Sequence, residues 1–274
     1  RIYYIDSFST DRSYEIAQTY GCICFKHKFT SYSEQFNWAL NQIETVCGTH
    51  WLVKIDCDEI PDKKVKSELR GYLSSLSDDI RGIYLLRSIY FLQQPIKRGG
   101  IFPQKSLRIF RMGYGQAEAK HMDEHIIVRG KVGMFRGEII DISLHPLSLW
   151  LSKHIRYAKL KAVDVFVSKH SLMSPEGSQN SNRRRIKVVL EKTIYNNIPT
   201  VWLGPSLYAF YRLILRGGCL DGGTAILYHL LHTIWYRTLI NINVRTLEIL
   251  LRKGSISRAD LTDRSSIQGV IQKM

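Results

Sequence analysis

Trp51-Leu-Val-Lys-Ile-Asp-Cys-Asp-Glu59 is the stretch on which the reading of this chain turns. A short apolar run ends in two aspartates, Asp56 and Asp58, one residue apart. The run has the length of a buried strand. Its carboxyl end is where open α/β sheets bind ligands. Two carboxylates this close repel each other unless positive charge lies between them. A divalent cation carrying a phosphate meets that need. The same residues also suit a strand followed by an acidic turn and a helix start.

Upstream, residues 2–5 read as a strand that runs into Asp6-Ser-Phe-Ser-Thr-Asp11, a polar loop rich in capping residues. Residues 13–20 have helical spacing, Gly21 stops them, and 22–25 read as a second strand. Residues 33–46 predict a helix with Phe36, Leu40 and Ile43 as its apolar stripe, and 62–76 predict another. Strand and helix alternating at this spacing predict an α/β fold, a mostly parallel Rossmann-like sheet with helices on both faces. Asp6, Asp11, Asp56 and Asp58 then all fall in loops that follow strands.

Downstream the pattern changes. Residues 82–92, 106–111, 124–129 and 138–143 read as strands separated by Gly-containing turns, a mixed or antiparallel extension suited to acceptor recognition. Arg87, Arg108 and Arg111 alternate with aromatics there as candidate phosphate or acceptor contacts, or as a solvated strand face. Residues 147–167 are helical again, 168–182 read as a mobile loop, and Arg183-Arg-Arg185 opens a basic helix. Segments 206–216 and 224–240 mix apolar and aromatic residues with Arg and His. The domains expected are 1–145, 146–255 and a flexible tail, 256–274. His145 and His154 are expected to be structural.

The 274 residues carry a net charge of +15, unevenly spread. Residues 1–150 hold 20 Lys+Arg against 17 Asp+Glu, whereas 151–274 hold 19 against 7. That second half suits an anionic membrane surface, nucleic acid or acidic polysaccharide. The five scattered cysteines lack metal-ligand spacing and read as reduced cytosolic thiols. No apolar run approaches the ~18 residues of a spanning helix.

Several of these motifs together resemble family 2 glycosyltransferases. Asp6-Ser-Phe-Ser-Thr-Asp11 is similar to that family's Asp-Ser-Gly-Ser-Thr-Asp loop, and Asp56-Cys-Asp58 to its Asp-X-Asp motif. Gln35-Phe-Asn-Trp-Ala-Leu40 resembles the helix between them, and Met122-Asp-Glu-His125 the acidic motif after the central strands. Arg216-Gly-Gly-Cys-Leu-Asp-Gly222 resembles a C-terminal signature of the branch containing bacterial lipopolysaccharide-core glucosyltransferases. The resemblance covers residues 1 to about 240.

It implies a GT-A fold, a nucleotide-sugar donor (a UDP-sugar foremost), Mg²⁺ or Mn²⁺, and inversion at the anomeric carbon. Asp58 is implied as metal ligand, and Asp56 as a ribose contact or a metal contact through water. Asp6 is implied as a nucleobase or ribose acceptor. Asp11 has the same role or caps the next helix, and Asn37 reaches the nucleotide. Glu124 is the first choice for the base that takes the acceptor proton, and Asp123 the second, since relatives often carry His-Glu there. His125 is read as structural or acceptor-contacting, and Asp221 as a helix cap. A glycan or lipid-linked acceptor at the inner face of a bacterial cell membrane follows from the branch; nucleic acid is disfavoured. The family's first strand and its Pro-X-X-Asn-Glu-type loop normally precede Ile2, so an upstream element is expected. Two other readings stay open: a nucleotidyltransferase making a nucleotide sugar, and a non-catalytic basic module binding lipid or nucleic acid.

Overall fold

The computed structural model describes residues 1–46, 51–118, 125–143, 146–170, 201–263 and 266–274. The expected base candidates Asp123 and Glu124 lie outside them, as do His145, the Arg183-Arg-Arg185 helix start and, of the loop expected at 168–182, residues 171–182; Ser168 and Lys169 are helical instead. The architecture is mixed α/β. The chain divides into two compact units, Arg1–Lys54 with Ser75–Tyr84 and Leu107–Met134, and Ile55–Ser74 with Leu85–Ser106 and Phe135–Met274.

In the first unit β1 (Tyr3–Asp6) and β2 (Ile23–Lys26) form a parallel ladder, joined by α1 (Ser13–Thr19). Tyr3 stands opposite Ile23, and Asp6 opposite Lys26. Helix α2 (Tyr32–Val46) follows, then β3 (Trp51–Val53). The expectation that β3 continues the parallel series to Asp56 is corrected. It ends at Val53 and pairs antiparallel with a later strand, β7 (Gln104–Arg111), Trp51 opposite Arg111. An apolar run reports burial, not the direction of its partner. The unit's core joins Leu40 of α2 to Leu107 and Phe110 of β7 and to Val128, with Phe36 and Leu52 packed against them.

Strand β4 (Glu59–Pro61) and α3 (Lys63–Ser74) open the second unit. Asp62 starts α3, its carboxylate accepting the Val65 N–H at 2.7 Å. The remaining strands are β5 (Ile80–Phe91), β6 (Gln94–Ile96), β8 (Gly115–Ala117), β9 (Ile126–Val128) and β10 (Lys131–Ile142). The larger sheet has the hydrogen-bonded order β3-β7-β5-β10-β4, with β6 beside β5. Strands β4 and β10 are antiparallel, Glu59 opposite Asp141.

Helix α4 (Leu147–Lys169) buries Ala162, Val163, Phe166 and Val167, a helical spacing that makes one face. That face packs on Leu247 of α7 (Tyr236–Arg252). Before α7 come α5 (Leu203–Phe210), a π-helical turn at Tyr211–Leu215, α6 (Gly223–Leu230) and a second π-helical turn at Leu231–Trp235. Among the described residues, no helix is long and apolar enough to cross a membrane.

Residues 256–274, expected as a loose tail, instead fold as α8 (Arg258–Thr262) and α9 (Ile267–Lys273). Ile256, Leu261, Ile267, Val270 and Ile271 are buried in the α4–α7 core. A capping box opens α8: the Ser257 hydroxyl accepts the Asp260 N–H at 3.2 Å, and the Asp260 carboxylate accepts the Ser257 N–H at 2.7 Å. Ser257-Arg-Ala-Asp260 is a signal readable in the sequence.

His229 of α6 is fully buried, with neither ring nitrogen hydrogen-bonded to a described residue. Burial first, then the Arg212 charge, pushes its pKa down to about 4, against the opposing pull of Asp221. An unfolded histidine titrates near ~6.5, so between that value and about 4 the unfolded chain binds more protons. Stability therefore falls as pH drops through this window and levels off below it. At pH 5 the expected loss is about 2 kcal/mol relative to pH 7. Urea unfolding at the two pH values measures it, and His229→Gln should remove most of the difference.

Candidate functional site

The acidic stretch forms a tight turn between β3 and β4. The Glu59 N–H donates to the Asp56 carbonyl at 2.9 Å, and the Asp56 N–H donates to the Glu59 carboxylate at 3.0 Å. The Asp58 carbonyl accepts the Ile142 N–H of β10 at 3.0 Å. Glu59 itself is buried, its side chain 1% exposed. Arg87 of β5 lies 4.0 Å from that carboxylate and pairs directly with Asp141 of β10. One step along, the Ser88 hydroxyl donates to Glu138 at 2.5 Å. The turn therefore rests on a partly buried charged layer within one unit, in which Glu59 alone is fully enclosed.

Above that layer, Asp56 is half-buried and Asp58 is exposed. Asp58 makes no side-chain hydrogen bond or ion pair to a described residue. Both carboxylates act on the Cys57 thiol between them, which burial first, and then their charge, pushes up. A neutral thiol flanked by two carboxylates, one without a cationic partner, leaves a local excess of negative charge. That is the donor chemistry of a hard divalent cation. No group of three or more candidate metal ligands occurs among the described residues. A cation shared with a diphosphate needs only one or two protein carboxylates, so the pair fits.

In the other unit, Asp6 ends β1 and is 1% exposed. Its Oδ2 accepts the Ser9 N–H at 3.1 Å, while Oδ1 is buried with no hydrogen-bond partner among the described residues. Between them, Phe8 sits at φ 61°, a left-handed conformation that costs a bulky side chain energy. The Ser7 hydroxyl ties the loop to Gln35 of α2 at 2.9 Å. A buried carboxylate oxygen left unpaired beside a strained loop is suited to a ligand donor.

Other candidates have their side chains committed within the fold. The Asp11 carboxylate accepts the Ser13 N–H at 2.9 Å, and bonds from Ser13 hold its pKa down, so it serves the start of α1. Asn37 brackets the backbone of β8: its amide donates to the Ala117 carbonyl at 3.2 Å and accepts the Ala117 N–H at 2.8 Å. Both ends of the amide are thus engaged with that strand. Arg111 donates to the Ile80 carbonyl at 3.0 Å, pairs with Asp78 at 3.0 Å and lies over the Trp51 ring at 4.6 Å. Its guanidinium holds the sheet edge through these contacts. Arg108 is buried. His125 faces Glu118 at 3.5 Å where β9 begins. His154 stacks on Trp150 and donates from Nδ1 to its carbonyl at 2.8 Å, a structural role as expected. Asp221 accepts the Lys97 and Arg98 N–H groups at 2.7 and 2.5 Å, so it caps the β6 turn rather than a helix.

Sequence reasoning passed over Glu59, Glu138 and Asp141. Glu59 was hidden by its place beside the aspartate pair. The two β10 carboxylates are three residues apart and so point to opposite faces of the strand, and only pairing with β4 and β5 shows that they meet Arg87 and Ser88. Comparison with protein-family models and with curated proteins finds no match to this chain.

Proposed function

We propose that this chain is a metal-assisted glycosyltransferase of the GT-A kind, moving a sugar from a nucleoside-diphosphate donor, a UDP-sugar foremost, to a cell-envelope glycan or lipid-linked acceptor. The observation that carries this reading is the acidic turn after β3, fixed from beneath by Glu59, Arg87 and Asp141 while the Asp58 carboxylate stands open. The motif order from Asp6 to Gly222 supports it independently. Asp58, with Asp56, would hold Mg²⁺ or Mn²⁺, which neutralises charge developing on the leaving diphosphate. Asp6 offers its unpaired Oδ1 to a nucleobase or ribose donor group. Glu124 is the proposed base for the acceptor hydroxyl, with Asp123 second. Such an enzyme would work at the cytoplasmic face of a bacterial cell membrane.

A thermal-shift screen of nucleotide sugars, with and without Mn²⁺, tests the reading. At a hundredfold excess over Kd the cognate donor adds about 2.7 kcal/mol, a rise of several degrees. The rise should require metal and disappear in Asp58→Asn. Absence of any metal-dependent nucleotide-sugar shift sinks the proposal. Pyrophosphate release from a nucleoside triphosphate and sugar phosphate would mark a nucleotidyltransferase instead. Steeply salt-dependent RNA binding without nucleotide binding would mark a basic module.

A further inference from the structure

The segment from Leu203 to Leu215 has its polarity reversed. Helix α5 and the π-helical turn after it present Leu203, Leu207, Phe210, Tyr211, Ile214 and Leu215 to solvent. Their spacing is that of one helical face. The opposite face, turned inward, holds Gly204, Pro205, Ala209 and Arg212. Arg212 is 4% exposed and donates to the Gly99 carbonyl at 2.8 Å. Helix α6 buries His229 beside Ala225 and Tyr228, while Leu227 and Leu230 face outward. A helix in water turns its apolar face to the core. A helical segment that buries Arg and exposes Leu and Phe is matched to an apolar medium outside the protein.

The charge around this face chooses the medium. Residues 201–220 contain no acidic residue. Asp221 is the sole one between 201 and 240; its carboxylate accepts the Lys97 and Arg98 backbone amides and lies 3.8 Å from the Arg98 guanidinium, so the net positive charge of the rim comes from Arg216 and Lys97. Arg216, Lys97 and Arg98 are exposed. Arg98 also donates to the carbonyl of Leu220, itself 69% exposed, so cation and apolar side chain share one rim. A second copy docked on this face would bring the same cations against these. The segment's 13 residues would run only about 20 Å, short of the ~30 Å hydrocarbon core, so it lies in the interface plane rather than across it.

We infer that this reversed face, Leu203 to Leu215 with the Lys97 and Arg216 rim, docks flat on an anionic phospholipid bilayer. The inference rests on the surface of the second unit alone and stands whether or not the chain transfers sugars.

The test is co-sedimentation of the full chain with vesicles of phosphatidylcholine alone and with about one-third phosphatidylglycerol. Binding to the anionic vesicles should be at least about tenfold tighter, and high salt should weaken it. The double variant Phe210→Ser, Leu215→Ser changes exposed side chains, so its melting temperature should hold while vesicle binding falls at least about tenfold. Arg216→Gln should weaken binding to anionic vesicles and leave neutral ones unchanged. Three outcomes overturn the inference: no binding to either vesicle, binding unaffected by the double variant, or a dimer that the double variant dissociates without any vesicle binding.

Discussion

Asp58→Ala is expected to lower kcat/KM for metal-dependent sugar transfer by on the order of 10²–10³-fold, the usual loss when one preorganised stabiliser of a developing charge is removed. The side chain is exposed, so folding stability should change by no more than about 0.5 kcal/mol. The two readouts separate a ligand from a structural residue. A steady-state assay against Mn²⁺ concentration should show the wild type saturating and the variant losing its metal response. Cys57→Ser, in the same turn, should retain both activity and metal dependence. Full metal-supported activity in Asp58→Ala would overturn the assignment, whatever the fate of the glycosyltransferase reading as a whole.

Gly99→Ala is expected to destabilise the second unit by about 2–5 kcal/mol, the largest single effect on stability foreseen here. Two terms add. Gly99 sits at φ 70°, which costs an L residue roughly 1–2 kcal/mol. A Cβ built there would lie 2.2 Å from Cε1 of the buried His229 ring, an overlap worth roughly another 1–3 kcal/mol. The second term can be isolated. His229→Ala removes the obstacle, so in a double-mutant cycle Gly99→Ala should cost markedly less in that background, leaving the conformational part. Equal costs in both backgrounds would show that the close approach of ring and turn is not what requires glycine.

Much of the local structure was readable before any tertiary information. The 13–20 and 33–46 helices, the strand at 22–25 and the helix after Asp62 follow from periodicity, stop residues and caps, all short-range physics. The same holds for the turn at Arg98-Gly-Gly100, where both glycines adopt positive φ. The last two helices were missed because their polar exterior outweighed a capping box and a sparse apolar stripe. That stripe gains its meaning from α4 and α7, which it covers.

Among the candidate residues, the sequence by itself determined the pair Asp56 and Asp58 and, separately, the loop at Asp6, with their places after strands, because residue type and spacing along one chain carry that information. It also determined the basic bias of the C-terminal half. Only the tertiary structure decided that β3 pairs antiparallel with β7. It decided that Asn37 and Arg111 spend their hydrogen bonds on the fold, and that Glu59, Arg87 and Asp141 form a charged layer under the acidic turn. It also decided that α5 turns its leucines outward and its arginine inward. Each of these depends on which distant segment supplies the partner atom, and an apolar or charged letter reports a side chain's chemistry without saying what it will meet.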